Sequence, residues 1–409
     1  MKYHELILKY RNKLLNEILD YSFVNKFCLE LTKIGAKVIN IGFSNRKNRI
    51  LCIKVGRGNL RVAYVCRLHG NEPAPTNACL LFLLDLLADS LREYGIWLND
   101  IIDKVSIYAI PVSNPDGASL YYELSSKVNH RPSWEHIFSK ARFNSMGYDL
   151  NTDWHYLKQP ETKCIHKLIT KVDPHIIIDS HEFYYKGNHP PLWPEEFMIT
   201  LTDTPYKGVH SSIKELSNEL MKEIILFLKR EGYSSWKIKE RHFIGRGVRE
   251  YDEIIAKPFA LGSHFPYEGS AKVLVETWGI GLGEYLLSDR VIIHYLSMIK
   301  TLEFMIKEFK KVIACKNNFL KNELSYSKRE YIVEGNDVVK VHEVLKLHGV
   351  EVKWSNNDLI VEVPQRRSTM ASLLLDREFE LNKLIKEKFG NYVTLDKVYE
   401  VKIKSKEEI

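Results

Sequence analysis

The stretch Arg67-Leu68-His69-Gly70-Asn71-Glu72-Pro73 follows directly on the apolar run Val62-Ala63-Tyr64-Val65-Cys66. A short run rich in β-branched residues that stops at Gly and Pro reads as a buried strand entering a turn. An imidazole and a carboxylate three residues apart therefore sit at a strand end, where Gly70 lets the backbone bend. Both can face one metal ion, and a nitrogen beside a carboxylate oxygen suits zinc. A second apolar run, in Asp173-Pro174-His175-Ile176-Ile177-Ile178-Asp179-Ser180-His181, ends on the best candidate for a third ligand, His181. His, Glu and His from two strand ends leave one tetrahedral position for water, the pattern of a catalytic zinc. A third run, Lys272-Val273-Leu274-Val275-Glu276-Thr277-Trp278, holds one carboxylate among apolar neighbours near its end, where a general base is expected.

The order of these pieces resembles the M14 zinc carboxypeptidase family, which carries His-x-x-Glu, an Asp-Leu-Asn-Arg-like motif, a second zinc histidine and a late catalytic Glu. Here they are His69-Gly70-Asn71-Glu72, Gly147-Tyr148-Asp149-Leu150-Asn151, His181 and Glu276, spanning roughly residues 35 to 310. The resemblance implies one Zn2+ per chain, bound by His69, Glu72 and His181, with Glu276 as the base. It implies that Asp149 holds the distal nitrogen of His69 and that Asn151 binds the substrate's terminal carboxylate. Arg142 lies where relatives place the arginine that stabilises the oxyanion, with Arg131 as a competitor. One departure stands out: Thr152 follows Asn151, where the family usually has arginine. A guanidinium clamps a carboxylate bidentately and threonine cannot replace its charge, so Arg246 and Arg249 become alternative clamps. The family's mobile tyrosine has two candidates, Tyr251 and Tyr267.

The function expected from the resemblance is zinc-dependent metallocarboxypeptidase activity on a peptide C-terminus. The alternative is a zinc-dependent N-acyl amino acid deacylase of the aspartoacylase or desuccinylase type. A non-catalytic binding protein ranks third, since such a module has no need of Glu276.

Composition narrows the classes. The 409 residues are 45% hydrophobic and 27% charged, with a net charge of +7, ordinary for a globular chain and too diffuse to suggest nucleic-acid binding. The cysteines (28, 52, 66, 79, 164 and 315) lack metal spacing and sit mostly in apolar runs, as small buried residues do. The N-terminus has no signal-peptide pattern and no window reaches a membrane span, so a cytoplasmic location is expected.

Strand and helix patterns alternate through the chain, predicting an α/β fold: a mixed, mainly parallel sheet flanked by helices, with a small α+β C-terminal appendage. Leu6, Leu8, Leu14, Leu15 and Ile18 predict helical packing elements in an extension over 1–35. Residues 36–320 form the expected catalytic domain. Within it, strands are expected at Val38 to Ile41, Ile50 to Val55 and Val105 to Val112, and helices at Thr76 to Arg92, 211–231 and 285–312. Residues 118–148 and Phe183 to Leu201 read as active-site loops. Residues 321–409 are expected to form the C-terminal unit after a polar boundary at Lys316 to Lys328, with Arg366-Arg367 as surface charge.

Overall fold

The apolar runs pair edge to edge into one large sheet in the computed structural model, which describes residues 2–126, 139–183, 199–202, 207–233, 235–237 and 261–407. Its strands are β1 (Lys37–Phe43), β2 (Arg49–Val55), β3 (Leu60–Cys66), β4 (Val105–Ile110), β5 (Ile176–Phe183), β6 (Ile199–Thr202), β7 (Ser235–Lys237) and β8 (Ala271–Trp278). They lie in the order β1-β2-β4-β3-β5-β8-β6-β7. The centre, β4-β3-β5-β8, is parallel throughout, while β1-β2, β2-β4 and β8-β6 pair antiparallel. This is the mixed, mainly parallel sheet flanked by helices that the sequence pattern predicts.

Both faces of the centre are covered, which is why its strands read as continuous apolar runs rather than alternating ones. Val62, Tyr64, Ile176, Ile178, Val273 and Val275 pack with one layer of helices, among them Ala74–Leu87, Ser211–Arg230 and Leu287–Lys307. Their neighbours Ala63, Val65 and Ile177 face the other way, against Leu150, Trp154, Ile165, Ile169 and Phe265. In Ser211–Arg230 the buried positions 213, 216, 217, 220, 221, 224 and 228 follow the helical repeat. Ala74–Leu87 is buried on every side, so periodicity could not delimit it. It ends at Leu87, before the expected Arg92, and Asp89 turns left-handed at φ 56°.

The loop expected over 118–148 needs correction. Pro115–Ser125 is a helix: Asn114 accepts a hydrogen bond from the Gly117 N–H at 2.9 Å, and Pro115 occupies its first turn. Asn114-Pro115-Asp116-Gly117 thus forms this helix's N-terminal cap and first turn. Of the expected loop from Phe183, residues 184–198 lie outside the described residues. The N-terminal helices Lys2–Asn16 and Tyr21–Thr32 join the main core. Asn77 donates to the carbonyls of Leu14 and Glu17 at 2.9 and 2.8 Å, and Arg11 pairs with buried Asp85.

The polar stretch read as a boundary is helical as far as Glu323, within Phe309–Glu323. Beyond it, β9 (Arg329–Gly335), β10 (Lys353–Ser355), β11 (Asp358–Val363) and β12 (Val401–Glu407) form an antiparallel sheet ordered β10-β11-β9-β12. The helices Val338–Leu347 and Glu380–Phe389 accompany this sheet. Ser368–Leu375 is an additional helix, buried all round and therefore without an amphipathic signature. Arg367 is not surface charge: its side chain is buried, and it donates to the Glu268 carbonyl at 2.5 Å. Only Arg366 is exposed, paired with Asp173 at 2.6 Å. Among the described residues no helix is long and apolar enough to cross a membrane.

Candidate metal centre

Because β3, β5 and β8 are adjacent and parallel, their C-terminal ends lie on one rim, where α/β sheets gather function. The chain leaving β3 turns at Arg67, held at φ 56°. The Arg67 guanidinium is buried, donates through Nε to the Gly70 carbonyl at 3.0 Å and lies 5.9 Å from the Tyr121 ring centroid. Burial pulls its pKa down to about 10, so it remains charged at neutral pH. Gly70 serves close approach rather than a bend. A Cβ there would meet the Gly117 carbonyl carbon at 2.1 Å and the Ala141 oxygen at 2.4 Å.

That turn brings three of the predicted residues together. His69 Nδ1 lies 2.6 Å from Glu72 Oε1, His181 Nδ1 lies 2.9 Å from Glu72 Oε2, and the two nitrogens are 3.1 Å apart. All three side chains are buried and can hold one metal ion. Each ring meets a carboxylate on its far side: His69 Nε2 is 3.1 Å from Asp149 Oδ1, and His181 Nε2 is in ion-pair contact with Asp179 Oδ1 at 2.9 Å. The Asp149 carboxylate only accepts, so it draws the His69 proton to Nε2 and leaves Nδ1 as donor to a metal.

The same contacts shift the titration of these groups. Burial alone would raise the Glu72 carboxyl, but His69 and His181 outweigh it and hold it well below the usual carboxylate range. Asp149 is likewise held low, against burial, by its bond to His69 and by the His69 and Arg142 charges. Burial lowers the His181 imidazole, yet Asp179 and Glu72 together drive it well above its ordinary value.

Glu276 sits on β8 in register with His181 on β5. Paired residues of parallel strands share a sheet face, so the half-buried Glu276 lies on the same face as His181. Arg142, at the end of the short helix Ser139–Arg142, grips Asp149 Oδ2 through Nη2 at 3.0 Å and Nε at 3.2 Å. Its Nη1 stands 3.7 Å from Glu72 Oε1, and Asp149 links the guanidinium to His69.

The other predicted residues fall into place differently. Asn151 Oδ1 accepts from the Leu261 N–H at 3.1 Å. Thr152 is exposed and donates to the Asp149 carbonyl at 2.8 Å, closing the 3₁₀ turn Leu150–Thr152. Tyr267 is a core residue, not a mobile one: its hydroxyl donates to the Lys207 carbonyl at 2.7 Å and its ring packs on Phe379. Arg131, Arg246, Arg249 and Tyr251 lie outside the described residues.

Sequence reasoning missed the support beneath the site. Glu182, next to His181, is fully buried; it accepts from Arg290 Nη1 at 2.8 Å and from the Ala74 N–H at 3.0 Å. This pair fastens the end of β5 to the helix that follows Glu72. A second carboxylate inside an apolar run was its only signal.

Residues 30–174 match the Peptidase M14 family model, described as zinc carboxypeptidase. Carboxypeptidase 2 of Trichophyton rubrum is 32% identical over 178 residues, covering 42% of this chain and 27% of that protein. Carboxypeptidase D of Rattus norvegicus is 32% identical over 117 residues, covering 28% of this chain and 8% of that protein. The chain thus spans under a third of the length of these curated relatives. Among solved structures, carboxypeptidase A from Helicoverpa armigera superposes with a TM-score of 0.49 at 15% identity, over 74% of this chain and 75% of that one.

Proposed function

We propose, from the premise that residues 30–174 belong to the zinc carboxypeptidase family, that this chain is a zinc metallocarboxypeptidase releasing the C-terminal residue of a peptide. The observation that carries the reading is the convergence of His69 Nδ1, Glu72 and His181 Nδ1 at a strand-end rim, with Glu276 beside them on the next strand. The donor set, two imidazoles and a carboxylate with carboxylates behind the rings, fits zinc. Zinc bound there lowers the pKa of water towards neutrality and polarises the scissile carbonyl.

The remaining roles belong to the chain's own groups. Glu276 accepts the proton of the attacking water and returns it to the leaving nitrogen. Arg142, fixed by Asp149, supplies positive charge to the oxygen that becomes negative in the transition state. Asp149 and Asp179 hold the two imidazoles in the ligating orientation. Asn151 offers its amide nitrogen to the substrate's terminal carboxylate.

Thr152 favours a second reading, deacylation of N-acyl amino acids, because the usual arginine clamp is missing from its place. Incubation with free-acid peptides, their C-terminal amides and N-acyl amino acids, followed by mass spectrometry, separates the two. Loss of single residues from free-acid peptides alone supports the carboxypeptidase. Cleavage confined to acyl amino acids replaces it with the deacylase.

A further inference from the structure

A second set of metal-ligand atoms converges away from His69, between the large sheet's region and the C-terminal one. His166 lies on the buried stripe of the helix Pro160–Val172, His264 ends the helix Leu261–His264, and Glu268 ends the 3₁₀ turn Phe265–Glu268. His348 arrives from the other side, directly after the helix Val338–Leu347. All four side chains are buried. Glu268 Oε1 is 2.9 Å from His166 Nε2, 3.1 Å from His264 Nε2 and 3.5 Å from His348 Nδ1. His264 Nε2 is 3.4 Å from His166 Nε2 and 3.1 Å from His348 Nδ1. The edges of a zinc tetrahedron are about 3.3 Å, given zinc–nitrogen and zinc–oxygen bonds of about 2.0–2.1 Å.

The outward atoms set up the inward ones. His348 Nε2 faces the His155 carbonyl at 3.1 Å, which can only accept, so the proton is on Nε2 and Nδ1 presents a lone pair. His166 Nδ1 faces the Thr170 hydroxyl at 3.2 Å, and that hydroxyl donates to Glu268 Oε2 at 3.2 Å. The hydroxyl hydrogen being committed, Thr170 accepts from His166 Nδ1–H, which leaves His166 Nε2 bare. Two bare nitrogens, a carboxylate oxygen and His264 Nε2 therefore point at one small buried volume. A proton links two such atoms; a cation links all four.

We propose that His166, His264, Glu268 and His348 form a second metal site, a closed structural zinc tetrahedron that clasps the C-terminal region to the large sheet's region. Three histidines and a glutamate fill all four positions, unlike the three-ligand set at His69, so the site is structural rather than catalytic. Arg367, also from the C-terminal region, braces it: its guanidinium holds the Glu268 carbonyl and lies 3.5 Å from Glu268 Oε2.

The test is metal content, measured by plasma mass spectrometry on the full chain after gel filtration. Wild type is expected to carry two zinc equivalents, His348→Ala one, and the double variant His69→Ala/His181→Ala one. Should His348→Ala not fold, the double variant decides alone, and it does so independently of the proposed activity. Cobalt added to that variant after stripping is expected to give the intense visible absorption of a tetrahedral site and to raise its melting temperature by several degrees. A double variant without metal and without a cobalt spectrum would overturn the proposal, leaving a proton-bridged histidine cluster.

Discussion

At the residue scale, the meeting of His69, Glu72 and His181 was legible because His69 and His181 each stand at the end of an apolar run and the spacing of His69 and Glu72 suits a single ion. What supports those ligands was not. Asp179 and Glu182 lie within the β5 run, and only the fold shows that one faces His181 while the other faces Arg290 and Ala74. Arg367 was misread for the same reason, since it turns inward to Glu268, and the fold sets Tyr267, one of the two candidates for the mobile tyrosine, in the core. Asp149 touches both His69 and Arg142, so Asp149→Asn should weaken metal binding about 10–100-fold, as such supporting carboxylates do elsewhere. A competition titration with a chromogenic chelator reads this directly, and unchanged affinity would remove Asp149 from the site. Tyr267→Phe, by contrast, should cost about 1 kcal/mol of stability for one lost hydrogen bond and leave kcat unaltered. A collapse in kcat would make Tyr267 the mobile tyrosine after all.

At the element scale, the strands were easier to find than the helix ends. Fully buried helices such as Ala74–Leu87 and Ser368–Leu375 have no polar face, so period alone cannot bound them. The junction between Phe309–Glu323 and Ser368–Leu375 shows how such elements are joined. Glu323 accepts hydrogen bonds from the backbone N–H and hydroxyl of Thr369, at the start of the second helix. Burial nevertheless lifts its carboxyl to about 7. Between the ordinary carboxylate range and about 7 the folded chain keeps a proton that the unfolded chain releases. This group's contribution to stability is thus complete at low pH and is lost as pH rises through that window. Glu323→Gln should therefore flatten the fall in melting temperature between about pH 4.5 and 7, relative to wild type. An unchanged slope would show that Glu323 is ionised throughout.

At the scale of the whole molecule, the parallel centre of the sheet explains why residues more than two hundred positions apart meet at one rim. His69, His181 and Glu276 leave neighbouring strands in the same direction, and the sequence order of those strands was readable from their apolar runs. Tertiary placement of the two ends was not. The helix Lys2–Asn16 is stitched into the core through Asn77 and Asp85, and the C-terminal region reaches His166 and Glu268. Deleting residues 1–20 should strip Asn77 of the carbonyls of Leu14 and Glu17 and expose the core surface that Leu14 and Leu19 cover, giving insoluble or markedly less stable protein. A soluble truncated chain with the wild-type melting temperature would show that helix to be dispensable.

Measuring metal content and hydrolysis together on Glu276→Gln reads whether Glu276 moves the proton at a metal held by His69, Glu72 and His181. Full metal content, an unchanged melting temperature and a rate lower by about 10²–10⁴ are expected if it does. Wild-type turnover in that variant would contradict that role.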